Sequence, residues 1–313
     1  MFRLLGKTNI DFIGMRKFSF ILSTVLILLG LAAFVAIMMG KAEMGIDFTG
    51  GTMIQGSFAT PIDIADLRLS LAEGGFPDAS IQQLSTKTAE NTYLIRVKER
   101  GGEEASAGSV VQTVDQIQEL IAATFAENTF TLDSHHSIGP AVGETLRNQA
   151  RWAVILAVIC ILIYIWFRFD FRFGVAATIA TFHDVLTVLG IFWLLGIEID
   201  LLAITALLTL AGYSLTDSVV VFDRIRENLK LFRKKGDFVN TINISINEVL
   251  SRTIITSITV LLVILTLLLF GGQVLFTFAL ALTLGVIIGT YSSVFVASPI
   301  VVEWEAHSPK RFK

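Results

Sequence analysis

The sequence predicts an α-helical membrane protein that crosses the bilayer six times and carries one folded α/β domain outside the membrane. Hydrophobic residues make up 53% of the 313 residues, charged residues only 16%, and the mean hydropathy is +0.70. Soluble domains usually contain about 25% charged residues, so this composition excludes an ordinary soluble protein. Six long apolar runs, with one polar stretch between the first two, set the arrangement.

Each apolar run is close to or longer than the roughly 20 residues that a membrane-spanning helix needs. The second run is short, and we expect its helix to begin before the run does. The first run follows a basic segment but is much longer than the apolar core of a cleaved signal peptide, so we interpret it as a retained anchor. The predicted spans are residues 18–40, 152–167, 173–197, 201–222, 253–272 and 274–302.

Lysine and arginine residues alternate between the two sides of the predicted spans. They occur before span 1, between spans 2 and 3, between spans 4 and 5 and after span 6, whereas the links "GIEID" and "FGGQ" contain none. Because basic segments remain on the cytoplasmic side, both termini are predicted to be cytoplasmic. The predicted organisation is a cytoplasmic N-terminus with span 1 (1–41), an exterior domain (42–145), spans 2 to 6 with a basic cytoplasmic loop at 223–252 (146–302), and a cytoplasmic tail (303–313).

The exterior stretch, residues 42–145, is predicted to adopt the ferredoxin-like βαββαβ order. Thr60 is predicted to cap the first helix, with Pro61 at its first position and a glycine pair at its end. The segment "RGGEEASAG", residues 100–108, is predicted to be a flexible loop. The predicted elements are strand 47–59, helix 60–75, strands 79–85 and 92–99, helix 109–127 and strand 129–139.

The exterior stretch is strongly acidic, with 15 Asp and Glu residues against 5 Lys and Arg residues. This excess of negative charge argues against nucleic acid or lipid headgroups as a ligand of the exterior stretch. The spans are therefore the part that is predicted to contact membrane lipids. His135 and His136 are neighbours on a predicted strand and point to opposite faces, without a cysteine or carboxylate cluster nearby. Ordinary strand residues are therefore favoured over a metal site. The single cysteine, Cys160, excludes an intrachain disulfide.

The sequence contains no motif of hydrolytic or nucleotide-driven chemistry. It lacks a Walker-type phosphate loop, an HExxH helix and a GxSxG elbow. We therefore predict a protein that is not an enzyme and that binds no metal or cofactor. Any work that the protein does must draw on a source of energy other than ATP.

Ionisable residues inside the predicted spans are candidate functional residues, because burying a charge costs several kcal/mol. Asp217 lies in the cytoplasmic half of span 4, on a polar stripe that is predicted to face the bundle rather than lipid. A group that binds and releases protons explains this aspartate better than a purely structural hydrogen bond does. The stripe consists of Thr205, Thr209, Tyr213, Thr216 and Asp217.

Arg252 opens span 5 and by itself only satisfies the positive-inside rule. It begins a second polar stripe, which is formed by Arg252, Thr256, Thr259 and Thr266. If the two stripes meet, Arg252 approaches Asp217 and alters its affinity for protons. The pattern alone leaves this meeting open.

His183 and Asp184 interrupt span 3. Asp184 lines up with Thr181 and Thr187 at a spacing of three, so it is predicted to face the bundle, as a tie between helices or as a member of a proton relay. Neighbouring residues diverge by about 100° around a helix, so His183 and Asp184 are not predicted to form a chelating pair. The small residues of "GVIIG", residues 285–289, predict a packing site for an internal or a partner helix.

Several stretches together resemble the SecF members of the SecD/SecF family of protein-export membrane proteins, whose distant relatives are the proton-driven RND transporters. They cover almost the whole chain in the family's order. The resemblance implies a six-span RND-like bundle in the bacterial inner membrane that pairs with SecD, is accompanied by YajC and works beside the SecYEG channel. The stretches are "GIDFTGGT", "GPAVGETLRNQA", "FHDVLTVLG", "GYSLTDSVVVFDRIRENL" and "SRTIITS".

The resemblance also implies that the proton gradient helps to pull or release exported polypeptide on the outer side. Asp217 matches the family's intramembrane proton-site aspartate, and Arg252 matches its partner arginine. The family commonly has asparagine before that aspartate, where this chain has Thr216; the departure bears on proton affinity rather than on the role. Tyr213, Thr216 and Asp184 are weaker candidates for the proton pathway. Protonation of Asp217 would loosen its pairing with Arg252, and the exterior domain would swing.

Three other interpretations stay open at this point. An RND-type half that exports a small molecule or a lipid is the main rival, although one small acidic domain leaves little room for a substrate pocket. A scaffold subunit without proton work predicts that Asp217→Asn leaves function intact. An intramembrane protease requires Asp184 and Asp217 to approach closely, and nothing in the sequence indicates that they do.

Overall fold

The computed structural model describes residues 8–86, 89–97, 107–231 and 237–308. The chain folds as two compact units, one formed by Met44–Arg151 and the other by Met1–Glu43 together with Trp152–Lys313. The smaller unit overlaps the stretch 42–145, whose location outside the membrane stays a prediction. The predicted flexible loop at 100–108 lies outside the described residues, except for its last two positions.

Helices dominate the larger unit, and the described strands belong to the smaller one. A π-helical turn, Ser293–Ala297, joins the last two helices. The other elements are α1 Arg16–Met38, α2 Ile46–Thr49, β1 Gly51–Phe58, α3 Ile64–Glu73, β2 Ser80–Thr86, β3 Ala89–Val97, α4 Ala107–Thr124, β4 Phe130–Ile138, α5 Pro140–Arg168, α6 Phe171–Leu194, α7 Leu201–Leu231, α8 Phe238–Phe270, α9 Gly272–Ser292 and α10 Ser298–His307.

Six helical segments are long and apolar enough to cross a membrane, which confirms the predicted number of spans among the described residues. They are α1, α5, α6, α7, α8 and a sixth span, Val274–His307, that runs through α9, the π-turn and α10. Helix α5 begins at Pro140, well before its apolar run, as expected.

The basic loop predicted at 223–252 is largely helical rather than irregular. Helix α7 continues to Leu231 and α8 begins at Phe238, with residues 232–236 outside the described chain. Apolar side chains on these extensions share one hydrophobic core with the spanning helices, and each stabilises the fold by roughly 1.5–3 kcal/mol. This burial explains why the helices extend past the apolar runs. The fully buried members are Ile225, Ile242 and Ile246.

Helices α1 and α6 cross with their backbones in contact, because each has a glycine at the crossing. A Cβ atom added at Gly30 would lie 2.3 Å from the carbonyl oxygen of Leu186. A Cβ atom added at Gly190 would lie 2.8 Å from the backbone nitrogen of Gly30. Association of helices in lipid depends on close packing of this kind, since lipid tails are as apolar as the side chains. The position of α1 therefore depends on both glycines.

Ion pairs connect the helices at one end of the bundle, which we call the basic end. Each pair joins two different helices, and the pair between α6 and α10 is largely buried. Exposed pairs contribute little individually, about 0–1 kcal/mol, but these pairs also fix which helices are neighbours. The pairs are Arg16–Glu303 (2.7 Å), Arg168–Asp223, Arg172–Glu305 and Arg224–Glu248 (2.7 Å).

Two asparagines hold the segment before α1 against α8. The Asn247 side chain accepts from the backbone N–H of Ile10 at 3.0 Å and donates to the Ile10 carbonyl at 2.9 Å. The Asn243 side chain accepts from the backbone N–H of Ile13 at 3.0 Å and donates to Asp11 at 2.7 Å. Ile13 is fully buried. The segment is therefore part of the bundle rather than a free tail.

Asn247→Ala is expected to loosen this segment and to lower the free energy of unfolding by about 1–2 kcal/mol, because two hydrogen bonds are lost. Amide hydrogen exchange around Ile10 in the solubilised protein measures the effect. Asn240→Ala is the matched control, since Asn240 is exposed on the same helix and its side chain makes no hydrogen bond within the described residues. Equal exchange in the two variants would contradict the proposed role of Asn247.

The smaller unit is a four-stranded antiparallel sheet on which α3 and α4 pack. The strands lie in the order β2-β3-β1-β4. Leu67 of α3 and Ile117 of α4 are fully buried in the same core as Tyr93 of the sheet. The hydroxyl of Tyr93 donates to the carbonyl of Ile62 at 2.6 Å, which fixes the segment that leads into α3.

Two predicted details of this unit are wrong. Asp63, not Thr60, caps α3, because its side chain accepts a hydrogen bond from the first turn at 2.8 Å. Aspartate is a stronger N-cap than threonine. The strand predicted from residue 47 begins only at Gly51, after the short helix α2. Gly50 and Gly51 have φ angles of 70° and 135°, which turn the chain between the two elements.

His135 and His136 lie on β4, opposite Ile54 and Met53 of β1, and both histidines are exposed. Side chains alternate along a strand, so the two imidazoles project in different directions. Within the described residues, no group of three or more His, Cys, Asp or Glu side chains could hold a metal ion. Cys160 is exposed on α5.

Candidate functional site

Asp184 lies at the centre of the helical unit, on α6, and is completely buried. Its Oδ1 atom lies 2.8 Å from Nδ1 of His183. Its Oδ2 atom accepts from the hydroxyl of Ser292 at 2.6 Å and from the hydroxyl of Ser214. Donors from α6, α7 and α9 therefore converge on one carboxyl group, which confirms the prediction that Asp184 faces the bundle.

His183 contacts Asp184 although the two residues are neighbours on the helix. The sequence reasoning separated them because their Cα–Cβ directions diverge, but the imidazole folds back onto the carboxyl group. The Nε2 atom of His183 is buried without a hydrogen-bond partner. A proton on Nδ1 fits these contacts, because Nδ1 faces the carboxyl group, whereas a proton on Nε2 would have no acceptor among the described residues.

Asp217 lies on α7, one helical turn beyond Ser214, and is 9% exposed. Its Oδ2 atom accepts from the hydroxyl of Ser293 at 2.5 Å. The buried hydroxyl of Thr253, on α8, lies beside Asp217 without meeting hydrogen-bond geometry. Both oxygens of Asp184 are thus hydrogen-bonded, whereas Oδ1 of Asp217 accepts no hydrogen bond from the described residues.

Both carboxyl groups bond to consecutive serines at one irregular position of the sixth span. Helix α9 ends at Ser292, and the π-helical turn begins at Ser293. The hydroxyl of Ser298 donates to the carbonyl of Ser293 at 3.0 Å within this turn. A π-turn contains one residue more than an α-turn and frequently occurs at functional sites. Through these two serines, α6 and α7 are hydrogen-bonded to the junction between α9 and the π-turn.

Hydroxyl groups extend from this position to two further helices. Tyr213 of α7 donates to Ser257 of α8 at 3.2 Å, and Ser257 lies 2.7 Å from the hydroxyl of Thr290 on α9. The hydroxyl of Tyr291 lies 3.2 Å from that of Ser23 on α1. A continuous polar layer therefore crosses the helical unit. We use the name polar layer for Ser23, His183, Asp184, Tyr213, Ser214, Asp217, Thr253, Ser257, Thr290, Tyr291, Ser292 and Ser293.

The prediction that the stripe around Asp217 faces the bundle is wrong for its threonines, and the threonines of the Arg252 stripe, for which the sequence left the question open, are exposed as well. Among the residues of the two stripes, Asp217 is buried and Tyr213 is half-buried, whereas the threonines are exposed. The hydroxyls of these threonines donate to carbonyls of their own helices, so they need no partner from another helix. The exposed threonines are Thr205, Thr209, Thr216, Thr256, Thr259 and Thr266.

Arg252 is exposed on α8 and takes part in no ion pair or side-chain hydrogen bond within the described residues. The structure therefore does not bring Arg252 together with Asp217 in this arrangement of the helices. Thr253, the next residue of α8, is the one that lies beside Asp217. Arg252 is consequently at the depth of Asp217 but on a neighbouring face of its helix.

Asp184 and Asp217 do not bond to each other, since each accepts from a different serine. The shared-proton geometry that an aspartyl protease needs is not formed. The glycines of "GVIIG" pack internally: a Cβ atom at Gly285 would lie 2.6 Å from Leu210 of α7, and one at Gly289 would lie 3.6 Å from Asp184. This packing allows α9 to approach the two carboxyl groups.

The candidate site residues that the sequence did not indicate are mainly serines. Ser214, Ser292 and Ser293 donate to the two carboxyl groups, yet serine is common in apolar helices and usually bonds its own backbone. A usable signal was the position of Ser292 and Ser293 one turn after Gly289. Small residues there mark the face of α9 that approaches α7.

Comparison with known proteins identifies the family of the chain. Residues 117–307 match the family described as protein export membrane protein SecD/SecF, C-terminal. The chain belongs to the SecD/SecF family. Its relatives include the protein translocase subunit SecF of Thermodesulfovibrio yellowstonii, which is 47% identical over 307 residues, 96% of this chain and 97% of the relative. The SecDF protein of Thermus thermophilus is 41% identical over 94% of this chain, which spans 38% of that longer protein.

A solved structure shares the fold of this SecD/SecF family member. The crystal structure of SecDF, a translocon-associated membrane protein from Thermus thermophilus, superposes with a TM-score of 0.80 at 38% sequence identity. The match covers 96% of this chain and 39% of the SecDF chain. The chain is thus a membrane protein of the export translocase, and its relatives are named as translocase subunits rather than as enzymes.

Proposed function

We propose that this SecD/SecF family member is a subunit of the Sec translocase that uses the proton-motive force to assist late steps of polypeptide export together with SecD. The observation that carries the proposal is the pair of buried carboxyl groups in the polar layer, Asp184 and Asp217, which accept hydrogen bonds from α7, α9 and the π-turn. Protons are the coupling ion in this proposal, and no other cofactor takes part. The alternatives are an RND-type exporter half and a scaffold subunit.

The energy of a proton gradient is sufficient for such work. One elementary charge that crosses 100 mV supplies about 2.3 kcal/mol. A ligand shifts two conformations only by its difference in affinity for them, and this amount changes their ratio by about fiftyfold. Asp217 is suited to bind that proton, because within the described residues its carboxyl group accepts a hydrogen bond from one serine only.

Arg252 has a role in only part of the proposed cycle. In the present arrangement it is exposed, while its neighbour Thr253 lies beside Asp217. A rotation of α8 that exchanged these two neighbours would bring the guanidinium group to the carboxylate. Protonation of Asp217 would remove that attraction and return α8 to the present arrangement. Tyr213 and Asp184 act as further members of the pathway, and Thr216 as a flanking hydroxyl.

The partner that we propose is SecD, through the face of α7 and α8 that carries the exposed threonines. The SecDF relative contains a SecF-like region within a longer chain, which supports an association of the two parts. A polar face with Arg252 on it is costly to leave against lipid. A second bundle with a polar face would cover it. YajC and the SecYEG channel are proposed as further components around this pair.

Gly212→Leu tests this partner face, because Gly212 lies between the exposed threonines and has open space around it. The isolated chain is expected to keep its fold, whereas association with SecD is expected to weaken at least tenfold, since a clash of about 1.4 kcal/mol has that effect. Co-purification of the two subunits after titrated detergent extraction measures the association. Leu28→Ala, on the exposed surface of α1 and away from this face, is the control. Unchanged association of the glycine variant would contradict the assignment.

We further propose that both termini and the basic end face the cytoplasm and that the smaller unit lies outside the inner membrane. The alternation of Lys and Arg between the crossings supports this orientation. We assign the smaller unit to the ferredoxin-like class, which the antiparallel order β2-β3-β1-β4 supports. Exported polypeptide is the proposed ligand of this acidic unit.

The proposed function is tested with inverted membrane vesicles that contain or lack this chain. Export of a secretory protein is measured with the proton gradient intact and after addition of an uncoupler. A gradient-dependent gain of export is expected only when the chain is present. A scaffold would support export equally well without the gradient, and an exporter of small molecules would leave export unchanged. Photo-crosslinking from β4 in cells is expected to capture nascent secretory chains.

A further inference from the structure

Ser292 and Ser293 each have two alternative acceptors for one hydroxyl proton. The hydroxyl of Ser292 lies 2.6 Å from the Asp184 carboxyl and 3.2 Å from the carbonyl oxygen three residues earlier. The hydroxyl of Ser293 lies 2.5 Å from the Asp217 carboxyl and 3.2 Å from the carbonyl oxygen three residues earlier. A hydroxyl donates a single hydrogen bond, so each serine satisfies one of its two acceptors at a time.

We propose that this pair of serines couples the protonation of Asp184 to the protonation of Asp217. The inference rests on the proposed function in one respect, namely that Asp217 exchanges protons during the cycle. A proton added to Asp217 forms a carboxylic O–H group, which donates to the Ser293 oxygen. The Ser293 proton then turns to the carbonyl of Thr290. One proton is taken up, and no covalent bond other than the new O–H bond changes.

The coupling arises because the two alternative acceptors are consecutive carbonyls in the last turn of α9. The carbonyl of Gly289 already accepts the backbone N–H of Ser293. A serine hydroxyl that bonds a carbonyl one turn earlier competes with the backbone hydrogen bond and bends the helix. When the hydroxyl of one serine turns away from its carboxyl group, the helix backbone bends there. The bend therefore displaces the neighbouring serine.

The π-turn makes this displacement local. Its backbone starts at Ser293 and is stabilised by the hydroxyl of Ser298. A regular α-helix would resist bending along its whole length, whereas an existing irregularity concentrates the change where the two carboxyl groups bond. Ser292 and Ser293 thus change the position of the groups that bond to the two carboxyls and form no covalent bond themselves. Both are positioning residues.

The titratable groups that face the two carboxyls are few. His183 contacts Asp184, and the ring of Tyr291 lies 6.3 Å from the ring of His183. Tyr213 lies one turn from Asp217 on α7. From α8 the facing residue is Thr253, and Arg252 is exposed. From α1 the layer receives the uncharged Ser19 and Ser23.

Infrared difference spectroscopy of the full chain in lipid nanodiscs tests the proposal. The band of protonated Asp217 is identified by its loss in Asp217→Asn and is followed against pH. Asp184→Asn is expected to move the midpoint of this band by about one pH unit, the scale of one hydrogen bond to a charged group. In a chain that also carries Ser292→Ala and Ser293→Ala, the same substitution is expected to move it by less than a third as much.

The matched control is Thr283→Val, which removes a buried hydroxyl of α9 that donates only to its own helix. It is expected to leave the coupling at the wild-type size. An equal shift with and without the serines would overturn the proposal, because direct charge repulsion would then account for it. No shift from Asp184→Asn, or no titration of Asp217 in the wild-type chain, would overturn it as well.

The outcome is separable from that of the proposed function. The infrared titration reports on carboxyl groups in the isolated chain and needs no export. Export that is independent of the proton gradient, combined with a serine-dependent shift, would refute the function and keep the coupling. Gradient-driven export with equal shifts in both backgrounds would keep the function and refute the coupling.

Discussion

Asp217→Asn is expected to reduce gradient-dependent export to the level of wild-type vesicles treated with an uncoupler, while the bundle still assembles. The amide is nearly isosteric with the carboxyl group, and its oxygen can still accept a hydrogen bond from Ser293, as the carboxyl oxygen does at 2.5 Å. The amide cannot bind or release a proton, however. The variant therefore cannot use the roughly 2.3 kcal/mol that one charge supplies when it crosses 100 mV. The inverted-vesicle export assay measures the effect.

Asp223→Asn is the matched control for this experiment. Asp223 lies on the same helix, but it is partly exposed and pairs with Arg168 at the basic end. Loss of an exposed pair costs at most about 1 kcal/mol, so export is expected to keep most of its dependence on the gradient. Normal gradient-driven export by the Asp217→Asn protein, with normal complex assembly, would leave the scaffold interpretation as the better one.

Gly30→Ala is expected to destabilise the helical unit by roughly 2–3 kcal/mol, the usual scale of overpacking in a close-packed interior. The added methyl group would lie 2.3 Å from the carbonyl oxygen of Leu186, which belongs to a helix backbone and cannot rotate away. Helix α1 must then separate from α6 along the crossing. Thermal unfolding of the purified chain in detergent measures the loss.

Gly212→Ala provides the control, because Gly212 also lies inside a spanning helix but has no atom within 4 Å of the added Cβ. Alanine is a better helix former than glycine by about 1 kcal/mol, so this variant is expected to be as stable as the wild type or slightly more stable. If both alanine variants unfold at the same temperature, the backbone contact between α1 and α6 does not limit the stability of the bundle.

The number and order of the spans could be predicted from the sequence, because an apolar run of sufficient length has few alternatives to a membrane-spanning helix. The ends of the helices could not. Ile225, Ile242 and Ile246 lie among polar or charged residues, and only the packed structure reveals that they share one core. The N-cap of α3 was a similar case: Thr60 followed by proline resembles a helix start, and the stronger cap Asp63 lies only three residues later.

Some residues of the candidate site could likewise be predicted from the sequence, and others could not. Asp184 and Asp217 stood out because an ionisable group in an apolar run is costly. The serines did not stand out, since a hydroxyl can donate to a carbonyl of its own helix. The threonines beside Asp217 do the same, which is why the prediction that they face the bundle was wrong. Which hydroxyl meets which carboxyl depends on the rotation of α9 against α7. That rotation is set by contacts such as Gly285 with Leu210, which no periodicity in one helix reveals.

The ion pairs at the basic end also divide the spanning helices into two blocks. Arg16–Glu303 and Arg172–Glu305 join α1, α6 and the sixth span, whereas Arg168–Asp223 and Arg224–Glu248 join α5, α7 and α8. One long contact of 3.6 Å, Arg226–Asp170, bridges the blocks.

Asp184 and the π-turn thus belong to one block and Asp217 to the other. The hydrogen bond from Ser293 to Asp217 crosses the seam between them. In the proposed cycle, a proton that binds Asp217 therefore acts on a hydrogen bond between two groups of helices, each of which has its own ion pairs at the basic end.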